Sequence, residues 1–192
     1  MLFRSLSLDK NRVPLEALLA AGVQVRYVDH HYAGALPDHP QLTTHIDTDP
    51  LVCTSLLVNR HLKGRIAPWA VVGAFGDNLD ESARAAGAAA GLDEAEMAPL
   101  RALGILLNYN GYGATVADLH FPPAELYQAL VPYADPWDFM EQEPAFEALG
   151  AGYGDDMAQA EAVAPAQAGD AHAVHILPAQ KWARRVSGVF AN

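Results

Sequence analysis

Val23-Gln24-Val25-Arg26-Tyr27-Val28-Asp29-His30-His31 is an alternating apolar run that ends abruptly in one carboxylate and two imidazoles. Its β-branched content and two-residue period predict a buried strand with Val23, Val25 and Tyr27 on one face. Asp29, His30 and His31 then stand at its carboxyl end, where open α/β sheets place their ligand crevices. An imidazole ligates a first-row metal or carries a proton, and a carboxylate beside it fixes its tautomer. The competing reading is a polar turn in which His30 caps a neighbouring backbone group, and these residues by themselves do not decide between the two.

Upstream, Val13 to Gly22 has an early proline, Leu and Ala at helical spacing and a closing glycine, which predict a short helix. Helix followed by strand is half of a crossover unit, so a parallel sheet is implied, with its preceding strand expected before residue 8. Downstream, Tyr32 to Pro40 is a loop and Thr43 to Asp47 a short strand. Cys53 to Leu62 reads as a helix that Thr48 or Asp49 would cap, leaving N–H groups near Cys53 and Thr54 free for an anion. Pro68 to Phe75 is nearly continuous apolar sequence, predicting a buried helix that delivers Asp77 and Asn78 at its end. On the residues alone, Asp77 is an ordinary helix terminus or a cap for the Ala-rich helix expected at 81–90.

Beyond a helix at 94–107, Asn108 to Gly113 is a turn cluster of amide and phenol groups that either lines a cleft or is simply a loop. Asp118 to Pro123 and helices at 124–131 and 144–162 suggest a connector, and Pro165 to Gly169 a flexible linker. Val174 to Pro178 resembles the first strand of a new unit, with a helix following at about 180–190.

Composition narrows the function classes. With 192 residues, 51% of them hydrophobic, the chain can bury the core of one domain or of one domain and part of another. A net charge of −11 and a pI near 5.0 argue against a broad basic face for duplex DNA. Cys53 is the single cysteine, so no intrachain disulfide forms and a reducing, cytoplasmic setting is expected. It has no evident activating base and reads as a small core residue rather than a nucleophile. Neither a membrane span nor a secretory signal is expected.

Three blocks, Asp29-His30-His31, Ile46 to Ser55 and Ala70 to Asn78, occur in an order and at intervals that resemble the DHH phosphoesterase superfamily, in particular its bacterial members. The superfamily includes manganese-dependent family II pyrophosphatases, single-strand exonucleases, oligoribonucleases and cyclic-dinucleotide phosphodiesterases. The resemblance covers roughly residues 5–115 and implies a DHH-type Rossmann-like α/β domain, a parallel sheet with flanking helices, here partial and followed by a helix-rich C-terminal part. It divides the chain into a partial DHH domain at 1–115, a helical connector at 116–165 and the start of a C-terminal domain at 166–192.

Two divalent ions, manganese or alternatively magnesium, would polarise a phosphoryl group and acidify a water that attacks phosphorus. By position, the resemblance makes His30 and Asp77 metal ligands and Asp29 a carboxylate orienting the site. His31 would face the phosphate and stabilise developing charge, with Cys53, Thr54 and Asn78 as substrate-binding residues at the rim. The implied substrate is a nucleotide or other phosphodiester such as a short single-stranded oligonucleotide, and homo-oligomerisation stays open.

Departures from the pattern are equally specific. The first motif, a strand ending in closely spaced aspartates, is absent, and Ser5 stands where a bridging aspartate is expected. Serine cannot replace a bridging carboxylate, Asp9 lies too far into the turn, and Asp47 and Asp49 read as turn or capping residues. The chain is therefore expected to lack its natural beginning, to bind metal weakly and to show little or no turnover alone. A non-catalytic nucleotide- or protein-binding module on the same fold is the alternative, and a helical structural protein with a chance Asp-His-His is the third.

Overall fold

A computed structural model describes residues 7–169 and 172–190. Ser5, and any strand before residue 7, lie outside the described residues. The described chain is mixed α/β and mostly helical, and it divides into two compact units whose boundary falls between Gly104 and Ile105. None of its helices is long and apolar enough to cross a membrane.

The first unit opens with α1 (Arg12–Ala20), β1 (Val25–Asp29) and β2 (Leu42–Ile46). The strands pair in parallel, Val25 opposite Leu42 through Asp29 opposite Ile46. The sheet is parallel as expected, but among the described residues β1 finds its partner in the strand that follows it through a loop, not in one before α1. Val25, Tyr27, Leu42 and Ile46 pack onto a cluster of Leu8, Leu15, Leu19 and Ala33. Val23 does not join them and is 42% exposed. Its N–H bonds Leu18 O while that of Gly22, at φ 78°, bonds Leu19 O. This left-handed helix end draws Val23 into the termination of α1 and delays the strand by two residues.

Helices α2 (Thr54–His61), α3 (Ala67–Gly76), α4 (Asp80–Ala89) and α5 (Glu94–Tyr109) follow. Neither Thr48 nor Asp49 caps α2. Asp47 Oδ1 accepts the N–H of Asp49 at 3.1 Å and Asp49 Oδ1 that of Leu51 at 2.8 Å, two successive side-chain turns that end before the helix begins. Cys53 is the N-cap by backbone position, without a capping side-chain bond. As expected, α3 is buried, with Ala67, Ala70, Val71, Val72, Ala74 and Phe75 inside. Small residues let its neighbours approach: a Cβ at Gly73 would stand 2.6 Å from Ser55, and one at Gly76 would stand 2.8 Å from the carbonyl oxygen of Gly104 in α5.

The second unit continues from the end of α5 through a 3-10 turn (Val116–Asp118), α6 (Pro123–Leu130), α7 (Pro136–Gln142), α8 (Pro144–Glu161), β3 (Gln167–Ala168), β4 (Ala173–Val174) and α9 (Lys181–Val186). Helix α7 was not anticipated, although Asp135 before Pro136 is a helix-start signal; its carboxylate accepts the Trp137 N–H at 2.8 Å. The expected strand Val174 to Pro178 shrinks to Ala173–Val174, paired antiparallel with residues expected to be a linker. Leu177 instead packs with Tyr109, Ala160, Val186 and Phe190, because a helix-facing core claims its side chain.

Tyr109 and Asn110 are fully or almost fully buried, so they belong to the core and do not line a cleft. Asn110 exchanges two hydrogen bonds with the backbone of Phe121, at 2.9 and 3.1 Å. The Tyr109 hydroxyl contacts Asp156 and lies 2.8 Å from His120 Nε2, while Arg185 on α9 donates to both Asp156 oxygens at 2.6 and 2.9 Å. Burial pushes the Tyr109 phenol up, and the Asp156 hydrogen bond adds to the shift. Burial also pushes the Asp156 carboxyl up, but the Arg185 and Tyr109 bonds outweigh it and hold it below the usual range.

His120 is pushed down, chiefly by burial and then by the Arg185 charge. The folded chain therefore binds fewer protons at His120 than the unfolded chain does, so stability falls as pH drops through the unfolded value of about 6.5. Asp156 adds a second loss at lower pH, since its contribution is present above an unfolded value of about 3.9 and disappears as pH falls through the lower folded value. Urea midpoints measured from pH 8 to 3 are expected to decline in these two stages, and His120→Gln to abolish only the first. An unchanged profile in His120→Gln would exclude His120 as its source.

Candidate metal centre

Strand β1 carries Asp29 at its last position, and the chain turns sharply at His30. Asp29 is 1% exposed. Its Oδ1 accepts the backbone N–H of His30 at 2.8 Å and lies 2.9 Å from His31 Nδ1. A carboxylate only accepts, so His31 carries its proton on Nδ1 and keeps the Nε2 lone pair for another partner. Asp29 Oδ2 is buried with no hydrogen-bond partner. The His30 and His31 rings lie side by side, centroids 4.2 Å apart. Asp29, His30 and His31 offer ligand atoms within 4.8 Å of one another, making them a possible metal-binding group.

Two further elements reach the same histidine. The start of α2 places the Thr54 N–H and the Thr54 hydroxyl each 3.1 Å from His30 Nδ1. The end of α3 places Asp77 Oδ2 3.3 Å from His30 Nε2. Asp77 holds that position as the C-cap of α3, and Asn78 follows at φ 60°. The N–H of Asn78 bonds Phe75 O and that of Leu79 bonds Ala74 O, the paired closure of a left-handed helix end, for which Asn is favoured after Gly. Asp77 is thus a terminus of α3 and not a cap for α4, whose N-cap is Leu79.

The donors around His30 test the fit of a cation. A backbone N–H can only donate, so with Thr54 N–H on Nδ1 the neutral ring carries its proton on Nε2, directed at Asp77. A cation at Nε2 needs the other tautomer, with Nδ1–H donating to Thr54 Oγ1 and the Thr54 N–H giving up its present bond to Nδ1. The ligand spacing is suitable: two atoms each about 2.1 Å from a first-row ion are roughly 3.0–3.4 Å apart between octahedral and tetrahedral angles. The 3.3 Å between His30 Nε2 and Asp77 Oδ2 lies in that interval. In that tautomer the His30–Asp77 spacing accommodates one ion, and Asp29, whose buried Oδ2 has no partner, belongs with His30 and His31 to the adjoining group of ligand atoms.

The remaining sequence candidates separate. Thr54 is at the site, but its N–H is engaged by His30, so it is not the free anion donor the sequence suggested. Cys53 is 2% exposed, and its thiol, pushed up mainly by burial, lies 3.1 Å from Ser55 Oγ, which itself donates to Ala70 O. Asn78 adjoins the site through the backbone closure just described. Asp9 lies away from it, pairing with Arg12 at 3.3 Å and packing under Gly34. The sequence reading overlooked a neighbouring group formed by Arg26, His45 and His61, although alternation alone puts Arg26 on the strand face opposite Val25 and Tyr27.

Set against protein-family models, curated proteins and solved structures, the chain matches no family model, no curated protein and no solved structure. The candidate site rests on its own geometry.

Proposed function

We propose that residues 29–31, Thr54 and Asp77 form the metal-facing part of a DHH-type phosphoesterase site on a Rossmann-like α/β domain, acting on a nucleotide or short single-stranded oligonucleotide. The observation that carries this reading is the convergence of His30 Nε2 and Asp77 Oδ2 to 3.3 Å from two separate elements, in the order the superfamily resemblance calls for. His30 and Asp77 would hold a manganese or magnesium ion, which would supply Lewis acidity to a phosphoryl oxygen and to water. Asp29 fixes the His31 tautomer, and His31, less buried than Asp29 and His30, would contact a phosphate oxygen. Thr54 offers His30 Nδ1 both a donor and an acceptor, so either tautomer finds a partner there.

A two-metal centre needs a carboxylate that bridges both ions; among the described residues the grouped ligands are Asp29, His30 and His31, and Asp77 is recorded against His30 Nε2 only. This chain alone is therefore expected to bind one ion weakly and to turn over little. One observation favours a second reading, a non-catalytic nucleotide-binding module: His30 is already fully satisfied by Thr54 N–H and Asp77 without an ion. The readings part in a binding assay with the p-nitrophenyl ester of thymidine 5′-phosphate. The metal reading expects affinity to rise with Mn²⁺ and to vanish with EDTA; affinity indifferent to both would establish the second.

A further inference from the structure

Arg26, His45 and His61 form a cationic group at the other end of α2 from Thr54. An Arg26 guanidinium nitrogen lies 3.0 Å from His61 Nε2, and the His45 and His61 rings are 5.2 Å apart. A guanidinium only donates, so His61 Nε2 accepts and its Nδ1–H is left to donate. All three side chains belong to exposed residues. Among the described residues no carboxylate pairs with Arg26, whereas neighbouring Arg60 is offset by Asp47 at 3.8 Å. A basic residue at a helix C-terminus is ordinarily explained by the helix dipole. That account covers Arg60 and His61 but not Arg26, which comes from β1 and brings its charge to the imidazole. A metal is disfavoured here because the guanidinium occupies the lone pair of His61, so an anion is the ligand that such a group of donors accepts.

Resting on the phosphoesterase reading, we infer that Arg26, His61 and His45 form a second phosphate subsite, which holds the backbone of a single-stranded oligonucleotide beyond the phosphate at His30. Thr54 and His61 bound the eight residues of α2, so the two sites are separated by roughly 10 Å of helix rise. A dinucleotide, with its single phosphodiester, engages the His30 site alone, and a strand of about five nucleotides reaches both. The subsite therefore confers preference for length rather than for sequence.

Fluorescence anisotropy with 5′-fluorescein-labelled thymidine dinucleotide and pentanucleotide, Mn²⁺ present, tests this in the full chain. Arg26→Gln and His61→Gln alter exposed positions, and circular dichroism checks that they remain folded. Each is expected to weaken the pentanucleotide about tenfold, with no change for the dinucleotide. Arg26→Gln is also expected to reduce the slope of log affinity against log salt by about 0.7. Unchanged pentanucleotide affinity and slope, or an equal loss for both lengths, would overturn the subsite and leave the His30 site standing. If the wild type binds neither ligand, the phosphoesterase reading falls and the subsite with it.

Discussion

Replacing Arg185 by alanine is expected to be among the most destabilising changes in the chain, at about 3 kcal/mol. Asp156 is 2% exposed, and its two oxygens take both forks of the Arg185 guanidinium. Removing the cation leaves a buried carboxylate with only the Tyr109 hydroxyl and the His120 ring beside it. The loss stays at the low end for a broken buried pair because the His120 and Arg185 side chains are 24% and 12% exposed, so the orphaned charge is partly screened. Arg185 also donates to the backbone oxygen of Asp118 at 2.7 Å, so the substitution loosens α9 from the 3-10 turn as well as from α8. Equilibrium urea unfolding measures the effect. Asp156→Leu combined with Arg185→Met is expected to recover part of it, since an apolar pair leaves no buried charge unmatched. A loss in Arg185→Ala below about 1 kcal/mol would show that the pair is solvated and contributes as little as an ordinary surface bridge.

Gly104→Ala is expected to cost about 1–3 kcal/mol, and Gly104→Val more, because α5 meets α3 there with backbone against backbone. A Cβ at Gly104 would run into the carbonyl oxygen of Val72 and stand 2.8 Å from the Gly76 nitrogen. Neither obstacle is a side chain that can rotate away, so the helices must part. Gly76 immediately precedes Asp77, and a shift of that helix end carries Asp77 away from His30. Gly104→Ala is therefore expected to weaken Mn²⁺ binding even where the protein remains folded. Gly154→Ala in α8 is the control: nothing lies within 4 Å of its Cβ position, and helix propensity predicts a gain of about 0.5–1 kcal/mol. Equal stabilities for Gly104→Ala and wild type would contradict the close crossing.

What the sequence made legible was local and periodic. The α1–β1 order and the buried character of α3 follow from patterns within a few residues of one another; a parallel sheet was expected too, but with a strand before residue 8 rather than with β2. Asp29, His30 and His31 were readable as one group because they are consecutive, and Asp77 because a nearly all-apolar helix has few ways to end. The structure adds partners that no period encodes. Thr54 offers His30 its N–H and hydroxyl only because α2 begins beside the end of β1, and Arg185 finds Asp156 only when α9 returns to α8. Val23 was misassigned because its apolar side chain continues the strand pattern while its N–H is spent closing α1. The expected strand at Val174 to Pro178 had strand-like composition, yet helices rather than a sheet offered its apolar residues a surface.

The proposal that His30 and Asp77 together hold a divalent cation is checked by isothermal titration of wild type and Asp77→Asn with Mn²⁺. Asparagine preserves the size and the helix-end position of Asp77 while removing its charge. One weakly bound equivalent is expected in the wild type, with an affinity at least about tenfold lower in Asp77→Asn and both proteins equally folded. Equal Mn²⁺ binding by the two proteins, or two tightly bound equivalents with hydrolysis of a phosphodiester, would contradict it: the first by removing Asp77 from the site, the second by requiring carboxylates that this site does not include.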